Sequence, residues 1–326
     1  MRSSSNMSRR DALKAGALAA AGVALAPLLP GTTMARLASA GIRPRLEPIT
    51  KPIPSTGERI PVIGLGTNQY SVETAEEMAE LQEVLEAMVE LGGAVVDTAR
   101  VYGRAEEVIG ELLQRMGNRE DYFIATKTPI RGELRDPDVE IQTSFDQLGV
   151  DTLDLMLIHN LHGLEELMPA FIRWKDEGRI RYIGMSTSTD SQYAAQMEGM
   201  RRFPLDFIQV DYSIANRNAA EEILPLAEEL GIAVLVNVPF GGRGGGAAAT
   251  FGRVADHDLP EWAAEIDAES WAQVFLKYVV SHPAVTAAIP GTTQVRHLVD
   301  NQGAGRGRLP DAALRAEIER FWDGLG

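Results

Sequence analysis

The chain of 326 residues contains no cysteine. Without thiols it has no disulfide framework, no cysteine-ligated zinc or iron–sulfur site and no thiolate nucleophile, so any metal would depend on oxygen and histidine ligands. Basic residues are also outnumbered, with 31 lysines and arginines against 46 acidic residues and a formal charge of −15. A surface of that sign repels phosphate backbones. We therefore expect no nucleic acid among its partners.

Hydrophobic residues are plentiful. They make up 45% of the chain, which excludes the disordered class of low hydrophobicity. The length allows either two ordinary domains or one α/β barrel of ~250 residues with extensions. The order of the motifs has to decide between these two organisations.

An apolar run rich in alanine and glycine extends from Ala15 to Leu29 and contains Pro27. A membrane-spanning helix needs ~20 apolar residues, so we expect no permanent membrane anchor. Arg9 and Arg10 precede the run, and a small-residue cleavage site follows it at residues 38–40. This order is similar to a twin-arginine export signal.

The resemblance divides the chain into a signal peptide, residues 1–40, and a folded domain, residues 41–326. It implies export, to the periplasm, with the twin-arginine translocase as a partner during export. Twin-arginine export moves proteins that have already folded, and loading a cofactor inside the cell is one reason to fold first. A basic N-terminal extension without a targeting role remains the alternative.

From Ile60 onward, short β-branched runs alternate with amphipathic stretches, which is the pattern of repeated βα units and a parallel sheet. Eight strands are predicted, at Val62–Gly66, Ala94–Thr98, Tyr122–Thr126, Leu153–Ile158, Tyr182–Ser186, Phe207–Val210, Ala233–Val238 and Thr286–Ile289. Helical periodicity is found, among other places, at Ala75–Leu91, Ala105–Met116, Leu164–Asp176, Ala219–Leu230 and Ala268–Ser281.

Eight strands without a long linker favour a single (β/α)₈ TIM barrel, an α/β fold, over a doubly wound open sheet. A dinucleotide-binding open sheet carries G-x-G-x-x-G between a strand and a helix, but Gly64 and Gly66 have no third glycine in place. We expect residues 41–59 to form an N-terminal hairpin that closes the bottom of the barrel. The glycine-rich residues 241–246 are either a flexible surface loop or a phosphate-wrapping loop.

Polar side chains follow three successive predicted strands, where the active sites of barrels lie. Asp97 ends the second strand and Tyr102 comes shortly after it, Lys127 ends the third, and His159 follows the fourth. Each polar residue comes after a nearly pure apolar run. We therefore expect the four side chains to meet in one concave, partly dry space.

The four groups have complementary chemistry. An ammonium at Lys127, held charged by the Asp97 carboxylate, favours the phenolate of Tyr102 and makes this phenol a proton donor near neutral pH. His159 orients a substrate carbonyl by a hydrogen bond or shares the proton. The set is suited to protonating a developing alkoxide, which requires a hydride from a cofactor.

These residues and several further motifs resemble the aldo-keto reductase superfamily. The resemblance covers residues 58–301 and rests on Gly64-Leu65-Gly66-Thr67, Asp97-Thr98-Ala99 with Tyr102-Gly103, Thr126-Lys127, Leu157-Ile158-His159, Arg179 to Ser186, Gln209 to Ser213 and Ile289 to Thr293. It implies a carbonyl (aldehyde or ketone) reductase, or the reverse alcohol oxidation, dependent on NADP or NAD and without a metal. It also implies that Tyr102 is the acid, tuned by Lys127 and Asp97, and that His159 orients the carbonyl.

The resemblance implies a set of cofactor contacts as well. Thr67 and Asp97 match positions at the nicotinamide, while Ser186 and Gln209 match positions that hold its carboxamide. The other implied contacts are Thr187, Asn237, Pro239, Phe240 and Gly241, then Gly291, Thr292, Thr293 and His297 near the adenosine phosphate, and Asp300 and Asn301 at the adenine.

Some positions depart from the family pattern. Asn237 stands where an aromatic residue usually stacks on the nicotinamide. Gly291 and His297 stand where NADPH-preferring members often carry cations for the 2′-phosphate, which leaves NADP and NAD both open unless Arg296 or Arg243 compensates. At the substrate pocket, Asn68 and Asn160 replace common aromatic residues. A small or sugar-like polar carbonyl compound fits such a pocket.

Two other functions remain open. A nicotinamide-binding regulatory subunit with little turnover would keep the four residues. It would also tolerate Asn237 in place of the usual aromatic residue in the seventh predicted strand. A Schiff-base lyase would use Lys127 as its nucleophile, although an adjacent Asp97 opposes the depressed lysine pKa that this chemistry needs. We interpret His162 as a loop residue rather than a metal ligand. Trp262 and Trp271 are interpreted as packing residues.

Overall fold

We analysed a computed structural model of the chain, which describes residues 46–242 and 245–325. The expected signal peptide at residues 1–40 and Arg243 lie outside the described residues. Within the described ranges, no helix is both long and apolar enough to cross a membrane.

The centre of the fold is a sheet of eight parallel strands in chain order. Its strands are β3 (Leu65–Gly66), β4 (Val95–Asp97), β5 (Phe123–Lys127), β6 (Leu153–Ile158), β7 (Ile180–Ser186), β8 (Phe207–Asp211), β9 (Ala233–Asn237) and β10 (Ala287–Ala288). Parallel bridges join Ile63 to Ala288 and Gly66 to Gly291, so the first strand pairs with the last. The sheet therefore closes into the predicted (β/α)₈ barrel.

A short antiparallel hairpin lies at the N-terminal end of the described domain. It consists of β1 (Thr50–Pro52) and β2 (Arg59–Pro61). Ile53 and Ile60 of this hairpin are buried in one cluster with inward-facing residues of the barrel, including Phe123 and Phe207. The cluster confirms that the hairpin closes the bottom of the barrel, away from the carboxyl ends of the strands.

Helices cover the outside of the barrel and return the chain to the next parallel strand. They are α1 (Ala75–Glu90), α2 (Ala105–Met116), α3 (Pro137–Leu148), α4 (Leu164–Asp176), α5 (Tyr193–Arg202), α6 (Ile223–Leu230), α7 (Gly246–Val254), α8 (Trp271–Val280), α9 (Val295–Ala304) and α10 (Ala312–Asp323). One buried apolar cluster lies between these helices and the barrel wall. The connections that follow β3 to β10 meet at the opposite end from the hairpin and carry the polar residues of interest.

Two predicted helix starts were wrong, each for a local reason. The helix predicted from Ala219 begins at Ile223, which places Pro225 in its first turn, where the missing amide hydrogen costs no intrahelical hydrogen bond. The helix predicted from Ala268 begins at Trp271, because the Ser270 hydroxyl accepts a hydrogen bond from the Gln273 amide at 3.1 Å and caps the helix.

The two predicted packing tryptophans lie in an aromatic cluster beside α10. The Trp262 and Trp271 rings meet edge to face with centroids 6.4 Å apart. Trp271 also stacks on Phe321 of α10 at 5.4 Å. These contacts are those of packing residues.

Candidate active site

Lys127 and Asp97 form a buried ion pair at the carboxyl ends of β5 and β4. The Lys127 Nζ atom lies 2.5 Å from Asp97 Oδ2, and both side chains are at most 3% exposed. Lys127 Nζ also donates to the carbonyl oxygen of Thr98 at 2.8 Å. The strands are neighbours in register, with Asp97 opposite Ala125, so two residues at adjacent strand ends meet without a long loop.

Tyr102 and His159 lie against this pair. Lys127 Nζ is 5.3 Å from the centroid of the Tyr102 ring. The Tyr102 and His159 rings meet edge to face, with centroids 6.4 Å apart. Tyr102 belongs to the connection from β4 to α2, and its backbone amide donates to the Ala99 carbonyl at 3.0 Å. The structure thus brings together all four residues that the sequence placed at successive strand ends.

The buried pair favours a charged lysine. Burial acts to lower the pKa of Lys127, but the Asp97 carboxylate and the Tyr102 hydroxyl outweigh it and raise this pKa above its ordinary value. Burial also raises the pKa of Asp97, although the Lys127 ammonium and the Gln209 amide act in the opposite direction. The raised lysine pKa is the reverse of what a Schiff-base nucleophile requires.

His159 is held in its neutral form. Burial, and then the nearby Lys127 charge, lower the pKa of His159 to about 3. Its backbone amide donates to the Thr128 hydroxyl at 3.2 Å, while its ring Nδ1 is buried with no hydrogen-bond partner among the described residues. A neutral imidazole has one donor and one acceptor nitrogen for hydrogen bonds.

We predict that the His159 imidazole of the folded protein does not titrate between about pH 5 and 8. In the unfolded chain it takes up a proton near the ordinary histidine value, so stability falls as the pH drops below about 6.5, by at most about 1.4 kcal/mol per pH unit for this group. Ring NMR resonances, assigned by comparison with His159→Gln, measure the titration, and urea unfolding at several pH values measures the slope. A midpoint near 6.5 in the folded protein would show that the imidazole is not held neutral.

A chain of side-chain amides extends from Asp97 across the barrel mouth. Gln209 Nε2 at the end of β8 donates to Asp97 Oδ1 at 2.8 Å. Asn237 Nδ2 at the end of β9 donates to the Thr187 carbonyl at 3.0 Å and lies 3.4 Å from Gln209 Oε1. Asn237 Oδ1 is buried and has no partner within the described ranges. One amide oxygen at the mouth is therefore available to a ligand.

A cavity of about 330 Å³ opens beside these residues. From the predicted site it is lined by Thr67, Asn68, Asp97, Tyr102, Asn237, Pro239, Phe240, Gly241 and Gly291, and the structure adds Gly66, Gln69, Val238, Ala247 and Ile289. A larger groove of about 730 Å³ lies outside, between α2 and α3, but its lining includes none of the predicted site residues. Chemistry and geometry coincide at the barrel mouth, so we place the site there.

The backbone around the cavity is strained. Asn160 and Leu161, which follow His159, have φ angles of 51° and 59°, and Val238 in the cavity wall has a φ of 41°. This left-handed region is unfavourable for a β-branched residue such as valine. Gly241 has a φ of 92° and no Cβ, which would lie 2.8 Å from the Thr250 hydroxyl. Such strain is concentrated at functional sites.

Other predicted contacts lie around the mouth, outside the cavity lining. The Ser186 hydroxyl accepts from the Asn160 backbone amide at 3.2 Å, and the Thr187 hydroxyl donates to Gln192 Oε1 at 2.7 Å. Gln192 Nε2 in turn donates to the Asn160 carbonyl at 2.7 Å. These polar groups tie the connection after β6 to the connection after β7.

The residues predicted for the adenosine end lie after β10 and on α9. The Thr292 hydroxyl accepts a hydrogen bond from the Gln294 amide at 3.0 Å, and Thr293 is half-buried. His297 is exposed and Asn301 is buried. Asp300 is held by Ser270 and Gln273, with both hydrogen-bond distances between 2.8 and 2.9 Å. Of the residues predicted for the adenosine end, Gly291 lines the cavity that contains Tyr102, and the other five do not.

The described residues contain no cluster of three histidine, aspartate or glutamate side chains that could hold a metal. The ring Nε2 atom of His162 lies 3.0 Å from the carbonyl oxygen of Gly132. That hydrogen bond is a structural use of the ring, in a loop over the barrel mouth.

The fold is a TIM barrel with a candidate active site at its mouth. Residues 62–320 match the family model described as the aldo/keto reductase family. A crystal structure of an aldo/keto reductase from Klebsiella pneumoniae, in complex with NADP and acetate, is similar with a TM-score of 0.67 and 26% identity, over 82% of this chain and 93% of that chain.

Curated relatives agree with this match. An aldo-keto reductase from Schizosaccharomyces pombe named yakc [NADP(+)] is 26% identical over 82% of this chain and 89% of its own length. A methylglyoxal reductase, YeaE, from Escherichia coli is 29% identical over 78% of this chain and 89% of its own length. The chain belongs to the aldo/keto reductase family, and it is an enzyme of the aldo-keto reductase type.

Proposed function

We propose that this enzyme reduces a small polar carbonyl compound, or oxidises the corresponding alcohol, with NADP(H) as cofactor and Tyr102 as the proton donor. The observation that carries the proposal is the contact of four groups at the barrel mouth. Lys127 and Asp97 form an ion pair of 2.5 Å, and the Tyr102 and His159 rings lie against it. A charged lysine, a phenol and a neutral imidazole in one buried space are suited to proton transfer to oxygen.

The residues at the mouth fit a nicotinamide cofactor. The buried, unpartnered Asn237 Oδ1 offers an acceptor for a carboxamide, and the cavity has the size of a ligand pocket. Thr67, Asn237 and Phe240 would hold the cofactor at this end. When bound, the cofactor supplies the hydride. The choice of NADP over NAD is supported by the NADP complex of the Klebsiella pneumoniae relative and by the name of the Schizosaccharomyces pombe relative, which contains NADP(+).

The side chains of the enzyme supply one proton to the substrate. The Tyr102 hydroxyl donates it to the substrate oxygen, and the Lys127 ammonium stabilises the phenolate that remains. Asp97 keeps Lys127 in place and charged. His159, being neutral, orients the substrate oxygen by a hydrogen bond without competing as a charged acid.

The substrate is proposed to be small and polar. Asn68 and Gln69 line the cavity beside Tyr102 and offer amide groups to a hydroxyl or second carbonyl. Methylglyoxal, which the name of the Escherichia coli relative contains, is a small dicarbonyl compound of this kind. It serves as the first probe, together with simple aldoses and apolar aldehydes.

The test is oxidation of NADPH and of NADH by the purified enzyme with this panel of carbonyl compounds. We expect turnover with NADPH and a preference for polar over apolar aldehydes. A bound dinucleotide that never changes redox state with any compound would favour the regulatory subunit. A covalent adduct on Lys127 after borohydride treatment, without hydride transfer, would favour the Schiff-base lyase.

We also propose that the protein is exported to the periplasm by the twin-arginine translocase. The support is the order of the arginine pair, apolar run and cleavage site within residues 1–40. We expect that replacing Arg9 and Arg10 by lysine leaves the precursor inside the cell. Fractionation with immunoblotting measures this, and secretion at the wild-type level by the double variant would contradict the proposal.

A further inference from the structure

A second buried carboxylate lies behind the active site and has no part in the proton transfer described above. Glu106, in the first turn of α2, is 1% exposed. Its Oε1 accepts a hydrogen bond from the Thr126 hydroxyl at 2.5 Å, and its Oε2 lies 3.7 Å from Arg100 Nε. Oε2 has no hydrogen bond of ordinary distance and angle in residues 46–242 and 245–325, although the Ser144 hydroxyl of α3 is near enough to lower the pKa of Glu106. A buried carboxylate with so few partners is costly, which points to a use for its charge.

Arg100 connects this carboxylate to the loop that carries Tyr102. Its guanidinium donates to the Glu140 carbonyl of α3 at 3.1 Å and lies 3.5 Å from the Glu140 carboxylate. Its backbone amide donates to the Lys127 carbonyl at 3.2 Å. Arg100 therefore fastens the connection after β4 both to a helix and to the end of β5.

We propose that Glu106 is a positioning residue, whose carboxylate joins Thr126 to Arg100 and thereby sets the separation of Tyr102 and Lys127. Thr126 directly precedes Lys127 on β5, and Arg100 lies two residues before Tyr102 in the β4–α2 connection. Glu106 acts through these neighbours, because the cavity lining includes Tyr102 and not Glu106. The inference rests on the proposed role of Tyr102 as proton donor.

The charge of Glu106 is set by its surroundings. Burial raises the pKa of Glu106 to about 7, against the lowering effect of its hydrogen bonds and of nearby cations. The charged groups that face it are Arg100 from the loop, Lys127 from β5 and Glu140 from α3, with Arg135 on the far side of Glu140. Above neutral pH the ionised carboxylate holds Arg100. Below neutral pH the protonated carboxyl of Glu106 no longer attracts Arg100. Arg100 then pairs with Glu140 only, and the loop that carries Tyr102 loses one stabilising contact.

The main test is Glu106→Gln, which keeps the volume and the acceptor for Thr126 but removes the charge. We expect kcat to fall roughly 10-fold or more, because a small misplacement of reacting groups is costly. The KM for the carbonyl substrate and the Kd for NADPH should stay within about twofold. In a Tyr102→Phe background the same change should lower kcat by less than about twofold, because Glu106 acts through the phenol. An equal factor in both backgrounds, or a change confined to Kd or KM, would overturn the proposal.

A matched control separates positioning from general stability. Asp154 is also a buried carboxylate, with Arg119 and Arg181 each 2.6 Å from it at the start of β6, away from the mouth. Asp154→Asn should lower the free energy of unfolding while kcat stays within about twofold. If Glu106→Gln does not fold, Thr126→Val is the second variant. It removes the hydroxyl that donates to Glu106 and keeps nearly the same side-chain volume, and it should also lower kcat.

A measurement without turnover decides the proposal independently. The ¹³Cζ resonance of Tyr102, assigned by comparison with Tyr102→Phe, should show a chemical-shift step near pH 7 as Glu106 ionises, and Glu106→Gln should lack this step. The same step in both proteins would overturn the role of Glu106. If the wild-type enzyme turned over no carbonyl compound, the proposed function would fail, while this resonance would still report whether Glu106 acts on Tyr102.

Discussion

Replacing Tyr102 by phenylalanine is expected to lower kcat at least ~10²-fold, because proton donation by a placed acid contributes about that much. The phenylalanine ring keeps the edge-to-face contact with His159 and the volume over Lys127, so the Kd for NADPH should stay within about twofold. Steady-state kinetics and a fluorescence titration of the cofactor measure the two effects.

Tyr122→Phe is the matched control for this variant. The Tyr122 hydroxyl is buried on the barrel wall and donates to the Leu85 carbonyl at 3.1 Å, outside the mouth. Its loss should cost about 1 kcal/mol of stability with kcat unchanged. Full activity of Tyr102→Phe would remove Tyr102 from its role as proton donor.

Replacing Lys127 by methionine should have the second large effect, on both stability and turnover. The variant leaves the Asp97 carboxylate buried without its cation, which costs about 3–5 kcal/mol. It also removes the charge that stabilises a Tyr102 phenolate, so kcat should fall at least ~10²-fold. Thermal unfolding and single-turnover reduction measure the two losses separately.

A double variant distinguishes these two causes. Lys127→Met with Asp97→Asn removes both charges, so it should recover much of the lost stability but none of the lost turnover. Lys175→Met breaks an ion pair with Asp206 of 2.6 Å on the outside of the barrel and should leave kcat unchanged. Recovery of turnover in the double variant would show that the ammonium is not needed for catalysis.

The strand ends explain why the site could be predicted from the sequence. Short apolar runs, either continuous or alternating, predict eight buried strands. The polar residue that follows such a run then lies at the carboxyl end of its strand. Asp97, Lys127 and His159 are of this kind, and neighbouring strands bring them together. The resemblance in the motifs added the roles, which the residue types alone left open.

Contacts between distant segments were not predictable in this way. Gln209 and Asp97 are 112 residues apart, and only the closure of the barrel shows that their side chains are hydrogen-bonded. The link from Glu106 to Arg100 and Thr126 was also missed, because a glutamate in the first turn of a helix is ordinarily a solvent-exposed partner of the helix dipole. Its burial under α3 depends on tertiary packing, which local periodicity does not contain.

Helix boundaries show the same division between local and tertiary causes. The helices α2 and α4 begin and end where the sequence pattern predicted. Pro225 marks the start of α6 and the Ser270 cap marks that of α8, and both are local signals that helical periodicity does not contain. The neutral state of His159 is different, since it depends on burial and on the Lys127 charge.

The most direct test traces hydride transfer with deuterium and tests proton donation with the variant Tyr102→Phe. The enzyme is given NADPH deuterated at the transferable position of the nicotinamide, with methylglyoxal as substrate, and the alcohol product is analysed by mass spectrometry. We expect one deuterium on the former carbonyl carbon in the wild-type product, and a product yield at least ~10²-fold lower with Tyr102→Phe at equal cofactor occupancy. Deuterium transfer at the same rate in both proteins would contradict proton donation by Tyr102.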